Sequence, residues 1–564
     1  MVHFKQDKQL GRTKASLEKK DDSRLGCWKA KFVQFCKRTD LHGFKYIVME
    51  ELNVVERSCW AVAVVVSIIF AAYFVVTAYR WYARNPIVTV IESTQGAIWD
   101  VPFPAVTICD LNVVSRRAAR ALADTVTLPA NVTADNVFET LRWVPLLHSS
   151  TLADADQKRD LRILQDILDL NNISIESLLK QLSPASSCSN LVQRCMWKNT
   201  IYRCEQLFEQ IFTLISLCCT FNYYGVDALE NDKTELLRME YPRRVASCGY
   251  QTALTVLLNT DPDDYYSSTV ASQGSLVFVD NAYNIPDLDS PVRLVNPATE
   301  VLIALSPEGT YTTSGIKSFR PDQRQCYYSN EIQLGNFRRY SFHNCMAYQK
   351  IEIIRQMCDC VPFFFPMKEY HRTCNFHDVD CLDKVTSVFA LRMYTEGLLS
   401  SNLTDYVDKL DNVFQCLPEC EHYDYPLEVA LGKLARNVPL DGLPFFDHID
   451  LENRSVLNVF YNDLVSTRYR RDVYLNWQNI LAAFGGLLSL MLGFTLISGF
   501  DFLLFFTFRL AYDTFTRKPK VKPKSNYAVN VEKVRTGNWM KEPEKNRFST
   551  IRSKMLEEFG HRKY

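Results

Sequence analysis

Residues Ser58 to Tyr79 carry no charged side chain between Arg57 and Arg80, and this run of twenty-two residues constrains the chain more than any other feature. As an α-helix rising 1.5 Å per residue it is about 33 Å long, enough to cross the hydrocarbon core of a bilayer. A buried core helix is the alternative, but soluble helices rarely stay uncharged on every face for so long. Trp81 and Tyr82 follow, as in the aromatic belt of a membrane interface. A second charge-free run extends from Val473 to Phe500, and Asp501 interrupts it before Phe502 to Phe508. Asn476, Gln478 and Asn479 make its start polar, so the membrane segment is expected to begin near Ile480. No apolar signal-peptide core lies in residues 1–57, so the first run is itself expected to target the chain to the membrane.

Charge gives the orientation. Residues 1–57 hold 13 Lys+Arg against 8 Asp+Glu, and residues 509–564 hold 15 against 6. The flanks are therefore +5 and +9, and since the whole chain is neutral the segment between them carries −14. The positive-inside rule puts both ends in the cytosol and the intervening region outside. Four Asn-X-Ser/Thr acceptors, Asn131, Asn172, Asn402 and Asn453, all fall in that outer region. So do 15 of the 18 cysteines, between Cys109 and Cys420, which reads as a disulfide framework in an oxidising compartment. Zinc is the competing reading of Cys358-Asp-Cys360, but no His/Cys quartet at finger-like spacing accompanies it.

The expected organisation is a cytosolic segment over 1–57, a membrane helix over 58–79, an extracellular domain over 80–472, a pre-pore segment and second membrane helix over 473–508, and a basic cytosolic tail over 509–564. The first residues, to about Thr39, are polar and read as loosely ordered, and Leu41 to Val55 as a short amphipathic approach to the membrane. The outer region contains β-type runs at 87–91, 105–108, 275–279 and 301–305. Helical spacing predicts helix over 159–181 and again over 202–217, where Cys204, Leu207, Phe208, Ile211, Leu214 and Ile215 recur at three and four. A mixed α and β body of this size is large enough for a real core. Arg517 to Lys524 is a basic run that reads as the inside-positive flank or as a site for anionic lipid.

Five motifs in order name a family. His42-Gly43 precedes the first membrane run, and Phe103-Pro-Ala-Val-Thr-Ile-Cys109 follows it. Cys358-Asp-Cys360-Val-Pro362 and Cys416-Leu-Pro-Glu-Cys420 come next, and Phe484-Gly-Gly-Leu-Leu-Ser-Leu-Met-Leu-Gly-Phe-Thr495 opens the second membrane run. Together they resemble the degenerin/epithelial sodium channel family across nearly the whole chain, and most of all its insect pickpocket subfamily. The resemblance implies a subunit of a homo- or heterotrimer in the plasma membrane, spanning it twice. It also implies a sodium-selective, typically amiloride-blocked pore built from the second helices, with sodium as permeant ion and no cofactor. The outer domain would be hand-like, with a β-rich palm, a helical finger and thumb, and a wrist at the membrane.

The resemblance also implies pairs and roles. The family's thumb motifs place cysteines where this chain has Gln349 and Phe414, so one rung of the disulfide ladder is lost without leaving a stray thiol. The remaining implied pairs are Cys326–Cys420, Cys345–Cys416, Cys358–Cys381 and Cys360–Cys374, with Cys109–Cys219 and Cys188–Cys195 nearer the N-terminus. Cys204, Cys218 and Cys248 are left over; a Cys204–Cys218 bond is one option, and an odd count leaves at least one outer thiol free or joined to another chain. Gly493-Phe494-Thr495 stands at the selectivity position, with Thr in place of Ser. Ser489 replaces a usual glycine. Asp501 stands where the family usually has Glu, below the filter. His42-Gly43 matches a gating motif, and Ala482 the position where bulky residues hold degenerin channels open.

The residues alone leave the pore reading open. Gly485-Gly486, Ser489, Gly493 and Ser498-Gly499 suit either exposed backbone for a dehydrating cation or ordinary close packing of helices. Asp501 in an apolar run faces water or a partner, or else sits at the interface. His148, His343, His371, His377, His422 and His448 are outer groups that could sense protons. No nucleophile–base pair or glycine-rich phosphate loop points to an enzyme, and nothing points to nucleic acid. A non-conducting accessory or receptor subunit is the alternative function, and the sequence does not name the stimulus.

Overall fold

The computed structural model describes residues 30–512 apart from 85, 148–152, 227–239, 253, 269, 288–289, 366–371, 395–415, 436–439, 441–442, 475–476 and 510–511. The described chain forms two compact bodies, one of residues 63–492 and one of the two ends, 1–62 with 493–564. The helix Val54–Arg84 is nine residues longer than the charge-free run within it. Glu56 in its first turn and Arg84 in its last complement the helix dipole and let it extend past the apolar stretch. Val62, Ile69 and Tyr73 are each more than 60% exposed, which no core helix would tolerate. Among the described residues it is the one helix that is by itself long and apolar enough to cross a membrane.

In the larger body a six-stranded sheet runs Leu427–Lys433, Thr299–Leu305, Arg454–Tyr461, Leu254–Asn259, Val192–Trp197, Thr200–Tyr202. A five-stranded sheet runs Val292–Val295, Ser275–Asp280, Ala105–Asp110, Leu217–Phe221, Phe208–Phe212. One core draws on both sheets, because their central strands alternate or are wholly buried. Phe103 sits at its centre, with ring centroids 5.0 Å from Trp197 and 5.5 Å from Tyr461. The hydroxyls of Tyr425 and Tyr461 both donate to the carbonyl of Pro102, so the core hides no unpaired phenol there.

In the same body a four-stranded sheet adjoins the ends of the two apolar runs. Ile87–Ala97 pairs antiparallel with Val465–Val473, and the backbone N–H of Tyr474 donates to Pro86 O at 2.8 Å. Trp81, at the end of the first helix, packs edge-on against Tyr474 with centroids 4.8 Å apart. The ends of the two apolar runs are thus clamped side by side.

Helices follow their caps. The stretch read as helical over 159–181 is two helices, Ala155–Leu170, started by a capping box of Asp154 and Gln157, and Ile175–Leu182, capped by Ser174. Asn172, with φ +53°, breaks them apart. The helix predicted over 202–217 is absent. Phe208–Phe212 and Leu217–Phe221 instead form a hairpin, its turn braced by Thr213 Oγ1, which donates to Ser216 O. The wholly buried strand Leu217–Phe221 pairs with Ala105–Asp110, and this long-range pairing overrides the local spacing. Residues 30–38, read as loosely ordered, are helical.

Seven disulfides occur among the described residues. Four join Cys326–Cys420, Cys345–Cys416, Cys358–Cys381 and Cys360–Cys374. The N-terminal pairs differ from those implied by the resemblance. Cys109 bonds Cys218 rather than Cys219, Cys188 bonds Cys219 rather than Cys195, and Cys195 bonds Cys204. Strand geometry explains the exchange. Cys109 and Cys218 lie directly opposite in the ladder, with Cα atoms 4.4 Å apart, while Cys219 opposes Ile108 and points to the other face. Of the fifteen cysteines between Cys109 and Cys420, Cys248 is the one left as a thiol.

Candidate functional site

The second apolar run is not one helix. Trp477–Leu492 stops at Gly493, and Leu496–Leu503 begins three residues later, continuing as π-type turns over Leu504–Arg509. The two pieces reach the apolar length of a membrane segment only when taken together as one broken span. The break follows from the residues. Gly493 has φ +64°, a conformation a side chain disfavours. Thr495 then restarts the helix as its N-cap, its Oγ1 accepting from Ser498 N at 3.1 Å and its carbonyl accepting from Gly499 N at 2.9 Å. A Cβ on Gly499 would lie 3.0 Å from the Phe494 ring, so the loop folds onto its own helix.

His42 lies against this break. A Cβ on Gly493 would sit 2.7 Å from His42 Cδ2 and 2.8 Å from Nε2, so only glycine fits beneath the imidazole. Gly43, at φ +81°, N-caps the short helix Phe44–Val48 and turns the chain so that His42 lies beside Gly493. The structure therefore brings His42-Gly43 and Gly493-Phe494-Thr495 together from opposite ends of the sequence. Asp501 is half-exposed on the helix that Thr495 starts, and Ala482 is exposed on Trp477–Leu492, in the other body. Adding a Cβ to Gly485 or Gly486 meets nothing within 4 Å, so their small size serves no contact among the described residues.

Sequence reasoning missed what anchors His42, the apolar packing around Phe35 and Cys36. Phe35 packs its ring within 5.8 Å, centroid to centroid, of Phe502, Phe505 and Phe506, and Cys36 is fully buried beside them. Tyr46 stacks on Trp60 at 4.6 Å, and Lys37 pairs with Glu50 at 2.9 Å. The signal was present in the run Phe32-Val-Gln-Phe-Cys36, masked by the lysines around it.

Other proposed sites are dispersed. Asn131, Asn172 and Asn453 are exposed, and Asn402 lies outside the described residues. Cys358 and Cys360 are both in disulfides and have no thiolate to offer a metal. His148 and His371 lie outside the described residues. His377 and His448 are exposed beside Asp166 and Asp447. His422 is pulled down by burial but raised on balance by the Asp424 carboxylate, 3.2 Å from its Nε2, and by Glu419. A titrating group that motif reading missed is Asp110, at the end of the strand Ala105–Asp110. Burial pushes its carboxyl up to about 7, against hydrogen bonds from Asn112 N and the Tyr265 hydroxyl that favour the anion.

A family model described as amiloride-sensitive sodium channel matches residues 35–505. The sodium channel protein Nach of Drosophila ananassae is 24% identical over 486 residues, 86% of this chain and 87% of that one. Pickpocket protein 28 of Drosophila melanogaster is 25% identical over 537 residues, 88% of this chain and 82% of its own. The bile acid-sensitive ion channel of Mus musculus is 23% identical over 483 residues, 84% of this chain and 86% of that protein.

Proposed function

Because the chain belongs to the amiloride-sensitive sodium channel family, we propose that it is one subunit of a trimeric, sodium-selective, amiloride-blocked channel of the plasma membrane, gated through its outer domain. The observation that carries this reading is the break at Gly493–Thr495 with His42 seated on it. A sodium ion shedding water needs oxygen ligands in return. Where one helix ends and another begins, backbone carbonyls lose their intrahelical partners and become such ligands. Three copies of the break around an axis would make a ring of them, with Thr495 supplying a hydroxyl and Asp501 a ring of carboxylates below. The broken pair is then the second membrane span. Gly485 and Gly486, unused among the described residues, suit close approach between neighbouring copies. His42-Gly43 acts on opening through its contact with Gly493, and Ala482 marks the face where the closed helices crowd.

A specific observation favours a second reading as a non-conducting accessory subunit. Ser489 fills a position the family usually leaves to glycine, and Thr495 brings an extra methyl. Expression of the chain alone, then with related subunits, separates the two. Amiloride-blocked sodium current in either condition supports conduction, provided that Asp501 and Gly493 variants alter unitary conductance. Full surface delivery with no effect of those variants on any current assigns the accessory role.

A further inference from the structure

Arg471, on the strand Val465–Val473, carries a guanidinium that the fold half-buries without an anion: among the described residues no carboxylate pairs with it. Its Nη2 donates to the carbonyl of Arg324 at 3.2 Å, and its Nε is buried with no acceptor. Burial pulls it below the ordinary arginine value, but an arginine stays charged at neutral pH. Two more cations gather around Tyr328, the titratable side chain that acts on Arg471. Arg324 Cζ lies 4.8 Å from the Tyr328 ring centroid and Lys317 Nζ 5.6 Å from it. The nearby anions are already engaged. Glu331 pairs with Arg324 and accepts from Tyr328 N, and Glu421 accepts from Thr312 Oγ1. Asp472, next along the strand and so on its other face, accepts from Thr313 Oγ1 and pairs with Arg470. Lys317 is exposed and has no carboxylate partner among the described residues. Arg471 and Lys317 are therefore uncompensated.

Their place gives the counter-ion. Arg471 is three residues, about 10 Å of strand, from Tyr474, which packs on Trp81 at the end of the first apolar helix. Lys317 belongs to the turn Ser314–Ser318, and Gly315 of that turn lies against the strand's end, where a Cβ would stand 3.2 Å from Val473 Cγ2. Interfacial tryptophan and tyrosine mark the level of the lipid headgroups. The charge abundant at that level is the phosphate of phospholipids. A guanidinium offers it directed donors and an ammonium a point charge, so the two together suit a tetrahedral oxyanion. We infer that Arg471 and Lys317 bind the phosphate of a phospholipid in the adjoining leaflet. This rests on the reading of Val54–Arg84 as a membrane span.

The test uses the full-length chain in detergent, with bound lipid counted by native mass spectrometry after addition of dioleoyl phosphatidylcholine or of dioleoylglycerol, which has the same tails and no phosphate. Arg471→Gln and Lys317→Gln should each cost one phosphatidylcholine per subunit and leave the dioleoylglycerol count unchanged. Lys317 is exposed, so its variant tests the site even where Arg471→Gln fails to fold. Arg320→Gln removes an exposed arginine already paired with Asp322 and should change neither count. Unchanged phosphatidylcholine in Lys317→Gln, or an equal loss in Arg320→Gln, would overturn the site. Displacement of the lipid by millimolar glycerophosphocholine, the headgroup without tails, would overturn the lipid as its source and assign a soluble phosphate ester instead. Lipid is counted without current, so failure here is distinct from failure of the channel reading.

Discussion

At the scale of single residues, Gly493 and His42 define one contact with two separable strains. Gly493→Ala adds a Cβ that collides with the imidazole and also forces an L-residue to φ +64°, worth roughly 1 kcal/mol by itself. Sodium current should fall sharply in Gly493→Ala at unchanged surface amount. His42→Ala in the same chain removes the collision but not the backbone strain, so recovery should be partial. A double mutant no better than the single one would break the link between the two motifs. Asp501 is tested by charge. Unit charges about 4 Å apart interact by roughly 4 kcal/mol at an effective dielectric near 20, and pore water and salt reduce this. Asp501→Asn should lower unitary conductance, and Asp501→Glu should keep it. Wild-type conductance in Asp501→Asn would take the carboxylate out of the ion path. Asp110 gives a pH dependence. Its raised folded value means that folding favours the protonated form, so stability is greatest at low pH and is lost as pH rises from its ordinary 3.8 toward about 7. Thermal melts of Asp110→Asn and the unaltered chain should diverge from pH 5.5 to 7, with the variant the more stable by a few kcal/mol (~1.4 per pKa unit), and run parallel above about pH 8. A constant gap across that range would contradict the assignment.

Among elements, the strand Leu217–Phe221 decides most. Its adjacent cysteines face opposite sides, one toward Cys109 across the ladder and one toward Cys188 on the helical turn Cys188–Leu191. Cys218→Ser should therefore expose the Cys109 thiol to alkylation in the unfolded, unreduced chain, whereas Cys219→Ser should expose Cys188. Exposure of Cys109 by Cys219→Ser instead would restore the Cys109–Cys219 pair that the resemblance implies. Either loss should destabilise the outer body by about 2–4 kcal/mol. The hairpin Phe208–Phe221 carries a wider lesson about spacing. Apolar residues at three and four also fit a strand followed by a turn and another strand, and only the partner strand Ala105–Asp110 settles which forms.

For the whole molecule, the clamp of Trp81 on Tyr474 and the pairing of Ile87–Ala97 with Val465–Val473 couple the outer body to both apolar runs. The orientation that this coupling requires is itself testable. Glycosidase treatment should lower the apparent mass through sugar on Asn131, Asn172, Asn402 or Asn453, and a C-terminal tag should resist protease on intact cells. Cleavage of that tag from outside would invert the arrangement. The outer body closes its disulfides internally and keeps Cys248 as its remaining thiol, which agrees with the odd count of outer cysteines.

What the sequence determined by itself is whatever local chemistry suffices to specify. The charge-free run from Ser58 to Tyr79 makes an exposed apolar helix with no help from the rest of the chain. The β-type runs at 87–91, 105–108, 275–279 and 301–305 became strands because their side chains suit a pleated surface, half or wholly buried in all but the first. Gly493 and Thr495 mark a helix break and restart through their own backbone preferences. What only the tertiary structure decided are the matches between distant segments. These are the choice between Cys218 and Cys219, the hairpin where helix was expected, and the burial of Phe35 and Cys36 that delivers His42 to Gly493, some 450 residues away in sequence. Each turns on which face of an element meets which partner. A period of two or of 3.6 states that a face exists, but the surface opposite it comes from elsewhere in the chain.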